Sequence, residues 1–371
     1  MQAERETILE KMAEEAGREL HQLAHPTWKR KAKSAAKRLL GRKEASADLL
    51  FWPAGLLLLG LVEADHLTEA EDYLDLWFDR GMPVGNPDDA LAGAVMLRLF
   101  ERTGKERYLQ AADRIFDYLE RCRRDPEGAI VYGQRSKNDW IYADGAGQTC
   151  LFYSEYARVT GERGQKAASL AERQMSLFLK NGMDGRSGLP YHGYDEKSGV
   201  KFGIIGWGRA VGWLLLGLSG ESLQEMGNPE ITARTERMLG EILERIREDH
   251  LFSWQLDCLE GPADTSATGM ICYSLLQMKK TGSSEKVKRA LEQAAEKLFS
   301  MVSEDGKIGQ ASAECTDFAQ YRQQYGNYPW GQGAVLAFLA CFVRSRAACL
   351  VQRESYFSIL AQSYLRRERI T

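Results

Sequence analysis

The stretch DDALAGAVMLRLFERTGKERYLQAADRIFDYL, residues 88–119, decides the fold. After its two aspartates, the first half is small and apolar almost throughout, as a helix buried on most sides would be. RTG then breaks the chain at Gly104. The second half alternates charged and apolar residues at helical spacing, the pattern of a one-sided surface helix. The reading is an inner helix, a tight turn and an outer helix.

The unit recurs along the chain. Glycine turns fall at Gly104, Gly161, Gly227 and Gly282, with spacings of 57, 66 and 55 residues. The stretches GAGQTCLFYSEYARV, GRAVGWLLLGLSGESL and SATGMICYSLLQMK precede the last three, and a charged amphipathic segment follows each. LFWPAGLLLLGLV with TEAEDYLDLWFDR adds a pair before these, and GQGAVLAFLACFV with Gln352–Arg367 adds one after. Six hairpins predict an all-α toroid, the (α/α)6 barrel, as one domain over residues 46–371. An open solenoid would need polar caps at both ends, and the last inner stretch is as apolar as the middle ones. The long links 81–88, 123–145, 182–207, 250–265 and 303–330 all run from an outer helix to the next inner one. In a closed ring they emerge at one mouth, where binding groups are expected.

Residues 1–45 read as a separate, basic helical arm. Trp28–Lys43 holds eight basic residues and no acidic one. It fits either an anionic partner or a solvated amphipathic helix lying beside the ring.

Composition narrows the function. The 371 residues carry a formal charge of −3, with 44% hydrophobic and 27% charged residues, so neither a disordered chain nor a generic nucleic-acid binder is expected. The longest apolar run, Leu49–Val62, has 14 residues and contains Pro53, which is short of the roughly 20 that a membrane span needs. The opening MQAERETILE lacks a signal-peptide pattern. Seven widely spaced cysteines without a CxxC pair suggest neither disulfides nor zinc, and point to a reducing, cytoplasmic compartment. No GxGxxG, Walker loop, HExxH or GxSxG is present, so no metal or cofactor is expected.

The chemistry-bearing residues cluster in the long links. NDWIYADG leads into an inner helix, and Asp144 reads either as its N-cap or as a general acid beside the aromatic faces of Trp140 and Tyr142. A partly dry cleft would favour the protonated form that such an acid requires. PVGNPDDALAG sets Asp88 and Asp89 at another inner-helix start: one caps, and the other could face Asp144 as a second carboxylate. LPYHGYDE and WGRAVGW bring His192, Trp207, Arg209 and Trp213. Arg209 suits either a substrate carboxylate, gripped by its planar fork, or structural stacking on tryptophan.

These motifs, taken in order with WQLD…DTSATGM and WGQGAV, resemble the unsaturated uronyl hydrolases of glycoside hydrolase families 88 and 105 from about Leu49 to Val343. The resemblance implies the same six-hairpin barrel. It implies Asp144 as the catalytic acid/base, Asp88 as the second carboxylate, and a substrate site lined by Tyr142, His192, Trp207, Arg209 and Trp213. It implies as substrate a short oligosaccharide with an unsaturated uronic acid at its non-reducing end, hydrated across C4–C5 without metal or cofactor. Ala210 and Val211 replace the family's usual Gly-Asn, which points to an atypical substrate. A conventional inverting glycosidase on the same barrel, and a non-catalytic carbohydrate-binding or scaffold protein, are the alternatives.

Overall fold

The computed structural model describes residues 2–25, 48–278, 284–316, 318 and 320–347. Helix α1 spans Gln2–Ala24, α2 Trp52–Glu63, α3 Leu67–Asp79, α4 Asp89–Thr103, α5 Glu106–Arg121, α6 Ala143–Val159 and α7 Gly161–Asn181. Then come α8 Gly208–Leu218, α9 Glu221–Met226, α10 Pro229–Leu243, α11 Thr265–Gln277 and α12 Glu285–Met301. A last helix, α13, covers residues 329–347.

The inner layer is α2, α4, α6, α8, α11 and α13. Their burial follows from composition: α2 is buried at every position from Pro53 to Glu63, and α8 at every position. Outer helices bury one stripe only; in α5 it is Tyr108, Ala111, Ala112, Ile115, Phe116 and Leu119. Of the expected glycine turns, Gly104 and Gly227 take the left-handed conformation at helix ends, Gly161 instead opens α7, and Gly282 lies outside the described residues. Gly104 ends α4 in the left-handed conformation, its N–H donating to Phe100 O. Asn228 caps α10 through Glu230 and Ile231, and Asp264 caps α11 through Ser266 and Ala267.

The ring closes where α13 meets α2. Gly60 and Gly333 face each other there, and a Cβ on Gly333 would sit 2.3 Å from Leu56 O. Only two glycines allow the backbones to approach so closely. An (α/α)6 barrel, with a continuous apolar core, is therefore the architecture.

The sixth outer position is filled from the other end of the chain. α1 lies between α3 and α12: Glu10 pairs with His66 at 3.1 Å, Arg18 Nη2 donates to Asp305 O, and Gln332 Nε2 donates to Met12 O. Met12, Ala13, Ala16 and Leu20 are its buried face. The first part of the N-terminal segment thus packs on the barrel wall. Both Trp28–Lys43 and the segment Gln352–Arg367, expected to pair with the last inner helix, lie outside the described residues.

At the mouth the long links are stitched together. β1 Ile141–Tyr142, β2 Gly193–Asp195 and β3 Val200–Phe202 form an antiparallel sheet in the order β1-β2-β3. β4 Ala311–Ser312 pairs with β5 Tyr325–Gly326. Ala143 N–H donates to His192 O, and Thr265 N–H to Gln310 O, so each link is tied to an inner-helix start. Among the described residues, six cysteines are free thiols and no helix is long and apolar enough to cross a membrane.

Candidate active site

All six inner helices begin at the mouth, so their positive dipole ends converge there. Between these ends lies a cavity of about 190 Å³ lined by Trp52, Tyr132, Tyr142, Asp144, His192, Trp207, Arg209, Trp213, Glu314, Cys315 and Thr316. Tyr142, His192, Trp207, Arg209 and Trp213, the substrate-site residues that the family resemblance implies, are all in this wall.

Asp144 is the second residue of α6, and Tyr142, not Asp144, occupies the N-cap position. The capping alternative therefore falls away. Asp144 Oδ2 is buried without a hydrogen-bond partner, and His192 Nε2 lies 3.3 Å from it. On its other side, His192 Nδ1 is 3.0 Å from the hydroxyl of Tyr321.

The two aspartates at the start of α4 separate cleanly. Asp89 Oδ2 accepts the backbone N–H groups of Gly85 and Asn86, at 2.8 and 3.2 Å, and closes the loop before the helix. Asp88 makes no cap and turns inward. Its Oδ2 accepts from Tyr132 at 2.6 Å and its Oδ1 from Gln148 Nε2 at 2.9 Å. Burial pushes the Asp88 carboxyl up to about 7; the two hydrogen bonds oppose this, and the charge of Asp144 adds to it. Asp88 therefore keeps its proton up to about neutrality.

Arg209 is 2% exposed and stacks on Trp207, with Trp330 also near. Its Nη1 donates to Ser312 O and Oγ, and its Nη2 to Ala313 O at 2.9 Å. Asp264 Oδ2 lies 3.8 Å from Nη1. The structural reading of Arg209 is thus realised. It also borders the cavity, but much of its fork is engaged by main-chain carbonyls. Trp140, expected as a stacking face, instead packs on Phe202 and Phe318 and does not line the cavity. Tyr142 does line it, with Phe318 stacked on its ring at 4.4 Å.

Sequence reasoning missed Trp52, Tyr132, Gln148 and Tyr321. For Gln148 a signal existed, since it stands one turn after Asp144 on the same helix face. Trp52 also starts an apolar stretch as Trp207 does. Tyr132 and Tyr321 lie in irregular links and carried no such mark.

The closed helical barrel with a carboxyl pair among aromatic faces is the fold and site of a chain whose sequence falls among the glycoside hydrolases. The chain belongs to Glycosyl Hydrolase Family 88, whose model matches residues 20–345. It is 26% identical over 317 residues to the unsaturated rhamnogalacturonyl hydrolase YesR of Bacillus subtilis, covering 80% of this chain and 90% of that protein. Its fold is similar to that of a possible GH105 family member from Salmonella enterica, with a TM-score of 0.75 at 18% identity over 93% of this chain and 95% of that one. The unsaturated glucuronyl hydrolase of Bacillus sp. GL1 superposes with a TM-score of 0.63 at 17% identity, over 78% and 86% of the two chains.

Proposed function

We propose that this protein hydrates the C4–C5 double bond of a terminal unsaturated uronic acid in short, lyase-derived oligosaccharides, releasing the remaining saccharide. The reading rests above all on one observation: Asp144 opens into an aromatic-lined cavity beside a second carboxyl, Asp88, that stays protonated up to about pH 7. Membership in family 88 and the likeness to an unsaturated rhamnogalacturonyl hydrolase support it.

In this reading Asp144 donates its proton to C4 of the vinyl ether, and positive charge develops at C5 and the ring oxygen. The Asp144 carboxylate then takes a proton from the water that attacks C5. The product is a hemiketal; it opens, and the bond to the next sugar breaks. Asp88, held by Tyr132 and Gln148, is the second acid and keeps the site supplied with a proton. Trp207, Trp213 and Tyr142 offer faces to the sugar ring. Arg209 and the converging helix N-termini supply positive potential for the uronate carboxylate. The buried apolar pair Ala210 and Val211 follows directly on Arg209.

The test is loss of the ultraviolet absorbance of the conjugated double bond, measured on unsaturated products of pectin and glycosaminoglycan lyases. Wild-type protein is expected to bleach at least one of them. Absence of bleaching on all, with reducing ends released from saturated glycans, would assign a conventional glycosidase instead.

A further inference from the structure

We propose that Tyr321 is a positioning residue, whose hydroxyl holds His192 in the Nε2–H tautomer and so aims that N–H at Asp144 Oδ2. The inference deepens the function proposed above and rests on Asp144 being the proton donor.

Tyr321 sits in the link between β4 and β5 that crosses the mouth. Its ring packs against Trp207 and Trp254, with centroids 5.5 and 5.9 Å away. Its oxygen accepts the N–H of Ile204 at 3.4 Å and lies 3.0 Å from His192 Nδ1. The phenol has one proton to give. Among its hydrogen-bonding neighbours, Ile204 N–H is a donor, so the acceptor for that proton is Nδ1. An Nδ1 that accepts carries no proton, and the neutral imidazole then bears its hydrogen on Nε2. Nε2 is the nitrogen facing Asp144, 3.3 Å from Oδ2. That contact is not aligned as a hydrogen bond here, but such bonds often tighten only when substrate binds.

The backbone is shaped around this contact. Gly203 has φ +82°, and a Cβ there would lie 2.4 Å from the Tyr321 hydroxyl and 2.6 Å from His192 Cβ. Any side chain at 203 would force the two apart. Burial also pushes the Tyr321 phenol up, so it remains a donor across the working range. The titratable groups whose charges bear on it are Cys315, Asp144 and Tyr142. Around His192 the remaining neighbours are the rings of Trp207, Phe318 and Tyr142.

The consequence concerns the step after proton donation. Oδ2 is buried toward His192, which leaves Oδ1 as the oxygen for the substrate. When Asp144 becomes a carboxylate, an Nε2–H pointed at Oδ2 stabilises it. Without the Tyr321 hydroxyl the imidazole is free to carry its proton on Nδ1, and a lone pair then faces the new negative charge.

The experiment uses the full chain labelled with ¹⁵N-histidine; its five histidines keep the spectrum simple. Two-bond nitrogen–hydrogen correlations read the tautomer of each ring, and His192→Ala assigns the signal. Wild type should show His192 protonated on Nε2. In Tyr321→Phe, which keeps the ring packing, that signal should move toward Nδ1–H. The kcat on the unsaturated oligosaccharide should fall about tenfold with KM little changed, and the alkaline limb of the pH profile should move upward. Two results overturn the proposal: an Nδ1–H ring in wild type, or an unchanged tautomer and pH profile in Tyr321→Phe. The wild-type spectrum needs neither variant nor substrate, so it judges the tautomer even where no lyase product is turned over. Failure of wild type on every lyase product counts against the proposed function alone.

Discussion

The two ends of the barrel are built from the same six inner helices and enclose cavities of similar size, yet among the described residues their polar groups are satisfied very differently. At the mouth, a cavity of about 190 Å³ leaves Asp144 Oδ2 and Gln148 Oε1 buried without hydrogen-bond partners. At the far end, a cavity of about 230 Å³ is ringed by Glu63, Arg98, Glu155, Arg158 and Glu221 at or just beyond the helix C-termini. There the charges answer one another. Arg98 bridges Glu63 and Glu155 at 2.6 and 2.7 Å, while Arg158 reaches Glu101, Glu155 and Glu221 at 2.9–3.0 Å. Burial alone would raise Glu63, but Arg98, with Cys341 and Arg344, holds it down at about 2. The arginines also face the negative ends of the helix dipoles. Cavity size does not distinguish the two ends; unanswered polar atoms do.

The contrast can be broken most severely with Asp144→Asn. It should cost roughly 10²–10⁴-fold in the bleaching rate while leaving the thermal midpoint close to wild type, because Oδ2 has no hydrogen bond to lose. Substantial remaining activity would take the proton donor away from this residue. Arg98→Ala should do the reverse. Glu63 keeps Arg344 and Glu155 keeps Arg158, so losing the buried bridge between them should destabilise the fold by about 3 kcal/mol in denaturant titrations, with the rate per folded molecule unchanged. An equal loss of rate would mean that the far end communicates with the mouth.

A pH comparison is subtler. The Asp88 carboxyl is raised in the folded state from 3.8 to about 7, so the native protein binds more protons than the unfolded chain between those values. Its contribution is present below pH 4 and is lost as pH rises to about 7. Asp88→Asn should therefore match wild type near pH 4 and exceed it at pH 8, by at most roughly 4 kcal/mol. Gln148 can turn its unpartnered Oε1 to the new amide. Equal stability at both pH values would show that the charge at Asp88 is compensated. Smallest of all, Glu221→Gln at the partly exposed rim of the far end should change stability by under about 1 kcal/mol, read as a barely shifted melt.

What was legible in the sequence divides along similar lines. The hairpins were visible because each is local: Gly104 ends one helix four residues after Phe100, whose carbonyl it satisfies. Asp88 and Asp144 stood out because polar residues at small-residue helix starts break an otherwise apolar pattern, and His192 through the link motif LPYHGYDE. Their partners did not, because those contacts join links far apart in the chain. Tyr132 reaches Asp88 across 44 residues, Gln148 reaches it across 60, and Tyr321 meets His192 across 129. Arg209 was left open between two readings for the same reason, its carbonyl partners lying 103 and 104 residues away. That Gln2–Ala24 fills an outer position of the ring was likewise not legible, because the groove receiving it is made by residues far along the chain.

The glycine contact between α2 and α13 bears on how such a chain can change over generations. An open array of repeats gains or loses a unit and becomes merely longer or shorter, because each repeat needs only its neighbours. Here Gly60 must meet Gly333. A chain that lost one hairpin would not be a smaller version of this protein but a gapped one, with two apolar faces turned to water. Variation is thereby steered away from the number of hairpins and into the links at the mouth, where substrate preference can drift while the count stays at six.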